Sequence, residues 1–357
     1  MPQISARIAA IGTALPDHDI HKAFVDWAAA QIADPRDAKL FARMAARSGI
    51  EHRWSVLPRG TDGGSPVCAG GFYDGVTLPP TSARMIAYGD HAPALALAAI
   101  ADLGETVGLT GITHLVVASC TGFVAPGIDQ IIAARLGLSP SVERLLIGFM
   151  GCYAAITALK SARHIVRSDP AARVLAVTVE LSTLHLQPVT TIEPLLAMLQ
   201  FGDGAAAALV TGDGPGLALE RPFALTLPNS DELIRWAIGD MGFAMHLSGE
   251  VPGRIGLALK SPEVADVLTG GGKVEDIDAW AVHAGGRSIL DAVETALALA
   301  PDALDASRAV LARAGNMSSA TLMFALQAFI EKRPKNGVAL AFGPGLAAEG
   351  FGFGWTD

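Results

Sequence analysis

The stretch Leu145–Leu159, "LLIGFMGCYAAITAL", decides how this chain is read. It carries no charge, yet it sets Cys152 beside a glycine in its middle. Beyond the cysteine, Tyr153, Ile156, Leu159, Ala162 and Val166 recur at three- and four-residue steps, while Lys160, Arg163, His164 and Arg167 take the other face. That spacing predicts an amphipathic helix begun by Cys152. A thiol there meets unpaired backbone N–H groups and the positive end of the helix dipole, both of which favour thiolate and lower its pKa. The bland alternative is a small buried hydrophobe, the commoner fate of a cysteine taken alone.

Strand-like runs surround this stretch. "HLVVASC", "RVLAVTVEL", "AAAALVTG", "DAWAVHA" and "GVALAFG" alternate with helical segments, which predicts an α/β protein. The order repeats: "THLVVASCTG" leads to the Cys152 segment, and "IDAWAVHAGG" leads to "LARAGNMSSATLMFALQAFIEK". Cys120 precedes Cys152 by 32 positions and His283 precedes Asn316 by 33, as expected of a duplicated fold. The expected halves are residues 1–213, carrying the cysteine, and 214–357, carrying the histidine and asparagine, with the boundary in "TGDGPG". Cys152, His283 and Asn316 would then face one cleft. His283 ends an apolar strand and is followed by glycines that permit close approach of a ligand; Asn316 by itself reads as a helix cap. Together, a cysteine nucleophile, a histidine base or oxyanion donor and an asparagine as second donor suit acyl transfer through a thioester.

Composition narrows the classes. With 357 residues, 51% hydrophobic and 17% charged, the chain can bury a large core. A net charge of −9 argues against general nucleic-acid binding. The mean hydropathy is +0.40, yet no stretch reaches the roughly 18 apolar residues of a spanning helix. The N-terminus reads as a first strand rather than a signal peptide, so a cytoplasmic location is expected. Three widely spaced cysteines, Cys68, Cys120 and Cys152, suggest neither a disulfide framework nor a zinc site.

Taken in order, "GFMGCYAA", "FGDGAAAALV", "VHAGGRSILDAVE", "GNMSSA" and "FGPGL" resemble the type III polyketide synthases, the chalcone-synthase-like branch of the thiolase superfamily. "PTSARMIAYGDHAPALALAA" and "LPNS" at Leu227–Ser230 resemble its bacterial members. The resemblance spans nearly the whole chain. It implies a thiolase fold of two pseudo-duplicated halves in α-β-α-β-α layers, a homodimer, and a CoA tunnel leading to a buried Cys152–His283–Asn316 site. Malonyl-CoA and a starter acyl-CoA would be substrates, with no metal or other cofactor. By position, Cys152 would carry the acyl group, while His283 and Asn316 would stabilise the enolate formed as malonyl-CoA loses CO2.

The resemblance also assigns auxiliary residues. Arg43 and Arg47 match residues that bind CoA phosphates, although a lysine of that motif is Leu40 here, with Lys39 beside it. Ser288 matches a position near the pantetheine. Phe223, one place out of register, and Met245 stand for two gatekeeping phenylalanines. His185, where chalcone synthase has threonine, Ser318, and the loop Gly343, Pro344 and Gly345 complete the pocket. Ala125 replaces a methionine that crosses the dimer interface. The rival is a type III β-ketoacyl synthase acting on an acyl carrier protein, but "HAGGR" lacks the asparagine that follows that family's histidine. A papain-like cysteine hydrolase fits poorly because Cys152 lacks a neighbouring tryptophan. A non-catalytic scaffold would be expected to have lost one of the three residues.

Overall fold

The computed structural model describes residues 5–61, 63–75 and 77–357. In chain order the first elements are β1 (Arg7–Ala14), β2 (His18–Asp19), α1 (His21–Gln31), α2 (Pro35–Ala46), β3 (Trp54–Ser55), α3 (Thr81–Thr106), β4 (His114–Ser119), α4 (Ile128–Arg135) and β5 (Glu143–Gly148). Then come α5 (Ala154–Ser168), β6 (Val174–Leu181), α6 (Ile192–Gln200) and β7 (Asp203–Thr211). The remainder comprises β8 (Gly216–Thr226), β9 (Ile234–Gly239), β10 (Gly242–Leu247), α7 (Val251–Leu259), α8 (Pro262–Thr269), β11 (Ala279–Val282), α9 (Arg287–Ala296), α10 (Asp305–Ala314), α11 (Ala320–Lys332), β12 (Gly337–Gly343) and β13 (Ala347–Thr356).

Nine strands form one sheet in the order β11-β12-β13-β8-β1-β7-β6-β4-β5. From β1 outward, β7 and then β6 pair antiparallel, and β4 pairs parallel. From β8 outward, β13 and β12 pair antiparallel and β11 parallel, so the same order and directions recur. Among the described residues the two series join over a short length, where Arg7 and Ile8 pair with Ala218 and Leu217 and Leu219 N–H donates to Ala6 O at 2.8 Å. Such a narrow junction lets the sheet fold over, and helices fill the gap. Strands β6 and β7 are buried along their whole length, which is why "VLAVTVEL" and "DGAAAALVT" lack a polar-out alternation.

The filling helices are α5 and α11, which touch strands of both series and build the largest apolar cluster. Helix α11 is apolar nearly all round, with eight buried residues, as a middle layer requires. On the outer faces, α3 covers β1, β7 and β6, and α7 with α9 covers the other series. This gives the five layers of a thiolase fold. The charged side of α5 is shared between solvent and the second series: His164 and Arg167 are exposed, whereas Arg163 is buried with Nε donating to the Leu219 carbonyl at 2.8 Å and Lys160 pairs with Glu349 at 2.8 Å. Among the described residues, no helix is long and apolar enough to cross a membrane.

Candidate active site

Cys152 sits in the 3₁₀ turn Gly151–Tyr153, one turn ahead of α5, rather than as the first residue of the helix. Gly151 makes that turn possible: its φ is +76°, and a Cβ there would lie 2.3 Å from Pro344 Cδ. Gly343 is equally close, since a Cβ would stand 2.6 Å from the Tyr153 ring and 3.4 Å from Cys152 N. The Gly343–Pro344–Gly345 loop therefore backs the turn that carries Cys152, and the Gly345 carbonyl anchors Ser230 of the "LPNS" segment at 3.1 Å.

His283 follows β11 directly, its N–H donating to the Leu340 carbonyl at 2.8 Å. Asn316 follows α10 and Gly315; its Nδ2 donates to Gly285 O at 3.2 Å, while Gly285 N–H donates to His283 O at 2.9 Å. The Asn316 amide and the Ser318 hydroxyl both stand at the Cys152 thiol, where they favour the thiolate. Ser318 has a φ of +48°, held by its N–H donating to Asn316 Oδ1 at 2.8 Å. The structure thus brings Cys152, Asn316 and Ser318 together, with His283 tied to Asn316 through Gly285.

Burial governs the electrostatics. It pushes the Cys152 thiol up to about 12, against the help of Ser318 and Asn316, and it pushes His283 down to about 3. This corrects the expectation of a thiol lowered by the helix end, because removal from water outweighs the helix N-terminus. In the unliganded protein both groups are neutral at pH 7. Among the described residues both His283 ring nitrogens are buried without a hydrogen-bond partner, so they remain free to meet a ligand.

Glu180 lies near Cys152 and went unnoticed in the sequence. Its carboxyl accepts from Cys120 N and Thr121 Oγ1 at 2.9 Å each, and from Ser319 Oγ. Burial raises it to about 7, with those three donors pulling it back. It ties the loop after β4 to the turn carrying Asn316. The "FGDG" motif does similar work: Asp203 accepts from Thr183 N and Oγ1 at 2.8 and 2.7 Å and from Val56 N at 2.9 Å.

Two cavities are lined by neighbours of Asn316, Gln200 and Gly285 in one and Phe201 in the other, while Cys152, His283 and Asn316 themselves line neither. One, about 760 Å³, is lined by Arg47, Gln200, Gly285, Gly286, Arg287 and Ser288, among others. Of the three residues expected to bind CoA, Arg47 and Ser288 line this cavity, whereas Arg43 is exposed on α2 and does not. Arg287, immediately after "HAGG", was overlooked as a second cation here. The other cavity, about 290 Å³, includes His185 and Met245. Phe223 lines neither: it packs in the core over Gly350, where a Cβ would meet its ring at 2.1 Å. The aromatic wall residues include Phe201, which forms a β-bridge with Asn316, and Trp236. The mismatch of one register position in "ERPFAL" was the available signal against Phe223.

His185 is a wall residue but offers no free polar atom. Its Nε2 lies 2.8 Å from Thr121 O and its Nδ1 accepts from Phe243 N at 3.1 Å, so the ring carries its proton on Nε2. It stacks on Phe243 at 4.2 Å, and burial pushes its pKa down to about 3.

Residues 2–215 match the family model for chalcone and stilbene synthases, N-terminal domain, and residues 221–353 match that of the C-terminal domain. The chain is 36% identical over 287 residues to the alpha-pyrone synthesis polyketide synthase-like Pks18 of Mycobacterium tuberculosis, covering 76% of this chain and 72% of that protein. It is 35% identical over 300 residues to bisdemethoxycurcumin synthase of Oryza sativa, covering 76% and 73%. Among solved structures, PKS-I of the brown alga Ectocarpus siliculosus superposes with a TM-score of 0.88 at 26% identity, over 100% of both chains. With its fold and both domain matches in agreement, the chain belongs to the chalcone and stilbene synthase family and is a type III polyketide synthase, a decarboxylating acyltransferase.

Proposed function

We propose that Cys152 takes a starter acyl group from its CoA ester, and that His283 and Asn316 hold the thioester oxygen of malonyl-CoA as CO2 leaves. The single observation that carries this reading is a buried thiol whose thiolate the Asn316 amide favours, with Asn316 tied through Gly285 to a histidine whose two ring nitrogens have no partner among the described residues. As Cys152 attacks, its proton passes through His283 to the departing CoA sulfur. Decarboxylation leaves an enolate whose charge falls on the thioester oxygen, where two donors act as an oxyanion hole. The enolate carbon then attacks the Cys152 thioester: the C–C bond forms, the C–S bond breaks, and the lengthened chain returns from CoA to Cys152. After repetition the chain cyclises to a pyrone, resorcinol or phloroglucinol-type product.

Arg47 and Arg287 at the mouth of the larger cavity suit CoA phosphates, with Arg43 outside the wall as a weaker candidate, and Ser288 suits the pantetheine arm. CoA esters are substrates in this scheme, and no separate cofactor enters it. The working unit is proposed to be a homodimer: edge strand β5 presents Leu145 and Leu146 to solvent, with Phe123 and Phe149 beside them, and a second copy would cover them. The cell compartment proposed is the cytoplasm, where acyl-CoA esters are made.

The test is mass spectrometry of products from malonyl-CoA and a panel of acyl-CoA starters, without carrier protein. Cys152→Ala is expected to abolish extension, and Asn316→Ala to slow CO2 release by about 10² to 10³. Undiminished extension by Cys152→Ala would overturn the scheme. Single condensation only after acyl carrier protein is added would favour the β-ketoacyl synthase instead.

A further inference from the structure

The carbonyl end of α6 is where the backbone of Asn316 is held. The last carbonyls of a helix lack the N–H groups of a further turn, and here tertiary donors supply them. Gln200 O accepts from Asn316 N–H at 2.8 Å, while Met198 O and Phe201 O accept from Nη1 of Arg53 at 3.2 and 2.7 Å. Arg53 is thus a cation at a helix C-terminus, the placement that the helix dipole favours. The residue is 1% exposed, its guanidinium lies 4.5 Å from the centre of the Phe24 ring, and its Nε donates to His21 Nδ1 at 3.1 Å. Burial lowers its pKa to about 9, against the pull of Asp19 and Asp203, so it is charged at pH 7. A cation taken this far out of water is costly unless its partners are fixed, as these are.

The same residue meets the chain on the other side of Asn316. Gly315 has a φ of +67°, and a Cβ there would stand 2.9 Å from Arg53 Cγ and 2.8 Å from Gln200 O. The neighbours of Arg53 in sequence grip the end of α10: Glu51 N–H and His52 N–H donate to Ala312 O at 2.9 and 3.0 Å, and Trp54 Nε1 donates to Arg313 O at 2.8 Å. The segment Glu51–Trp54 therefore joins the two stretches between which Asn316 is set, the end of α6 and the turn leaving α10. A planar guanidinium suits this junction, because its fork reaches two carbonyls and an imidazole at once, which the single ammonium of a lysine cannot do in one fixed geometry.

We propose that Arg53 is a positioning residue, which ties the end of α6 to the Gly315 turn and so fixes the Asn316 amide where the enolate oxygen forms. The inference rests on the polyketide synthase reading and adds to it a residue that acts through Asn316 rather than on the substrate. Loss of the guanidinium would release Met198 O and Phe201 O, and with them the β-bridge from Phe201 to Asn316. The effect would reach Cys152 as well, because the Asn316 amide favours its thiolate, and Ser318, which does so too, has its N–H on Asn316 Oδ1 at 2.8 Å. Decarboxylation and thiol reactivity therefore report the same displacement by independent routes.

The experiment is a double-mutant cycle on the full chain, combining Arg53→Gln with Asn316→Ala and reading both CO2 release from malonyl-CoA and the rate at which iodoacetamide alkylates Cys152. Arg53→Gln is expected to lower kcat for CO2 release about tenfold, with the KM for malonyl-CoA changed less than about twofold, and to slow alkylation about threefold. In the Asn316→Ala background the same substitution is expected to change neither rate, since residues that act as a unit are not additive. Arg53→Lys, which keeps the charge, is expected to show the same pattern with a smaller loss. Equal losses in the two backgrounds overturn the proposal, as do full rates in both arginine variants; where Arg53→Gln does not fold, the lysine variant decides. The two readouts separate this inference from the reading beneath it. CO2 release that Asn316→Ala leaves untouched, with the coupling still seen in alkylation, loses only the polyketide synthase reading. CO2 release slowed by Asn316→Ala, but equally sensitive to Arg53→Gln with and without Asn316, loses only this inference.

Discussion

Gly204 of β7 and Met317, the residue after Asn316, are in such close contact that a Cβ on Gly204 would lie 2.3 Å from Met317 Sδ and 3.1 Å from Cγ. The backbone on either side reinforces the contact: Gly202 N–H donates to Asn316 O at 3.0 Å, and Asn316 N–H donates to Gln200 O at 2.8 Å. The asparagine of the second strand series is therefore held in place by the "FGDG" segment of the first.

Gly204→Ala is expected to destabilise the protein by about 1–3 kcal/mol, because the methyl overpacks a fully buried contact. It should also slow CO2 release from malonyl-CoA, since the displaced residue adjoins Asn316. Urea unfolding and a decarboxylation assay measure the two effects. A stable variant with ordinary turnover would mean that Met317 can move aside without disturbing the site.

Glu180 makes stability depend on pH. Burial raises its pKa from 4.5 to about 7, so between those values the folded protein keeps a proton that the unfolded chain has lost. The contribution is fully present below about pH 4.5 and is lost as the pH rises through 7, at most roughly 3 kcal/mol. Asp203, raised by burial from 3.8 to about 6, adds a loss of the same sign at lower pH. Glu180→Gln is expected to shrink the fall in unfolding free energy between pH 5 and pH 7.5. An unchanged fall would place the proton elsewhere.

Arg47 and Arg287 share the rim of the larger cavity, and Arg287 Nη1 donates to the Arg47 carbonyl at 3.1 Å. Replacing either by alanine is expected to raise the KM for malonyl-CoA about three- to tenfold, with the increase fading at high salt, as befits partly exposed charges. The ratio of that KM to the KM for the N-acetylcysteamine thioester, which lacks the nucleotide, is the decisive measurement. If the ratio stays at its unmodified value, these arginines do not meet the phosphates.

Cys152, His283 and Asn316 stood out in the chain because each follows a local pattern: an apolar strand or a glycine, then a helix. The same holds for the layered fold, since "VLAVTVEL" and "DGAAAALVT" have the uninterrupted apolar character of strands covered on both faces. Spacing alone could not assign the cavity walls. Phe223 in "ERPFAL" and Phe201 in "LQFGDG" are both candidates for a wall, but β8 points the former into the core over Gly350, and the bridge to Asn316 brings the latter beside that residue. Protonation was equally out of reach: the turn before α5 promised an acidic thiol, whereas three-dimensional burial raises it. Local periodicity determined which residues could do chemistry. The packing of two strand series around α5 and α11 decided which of them meet, how dry their surroundings are, and which donors are left without a partner.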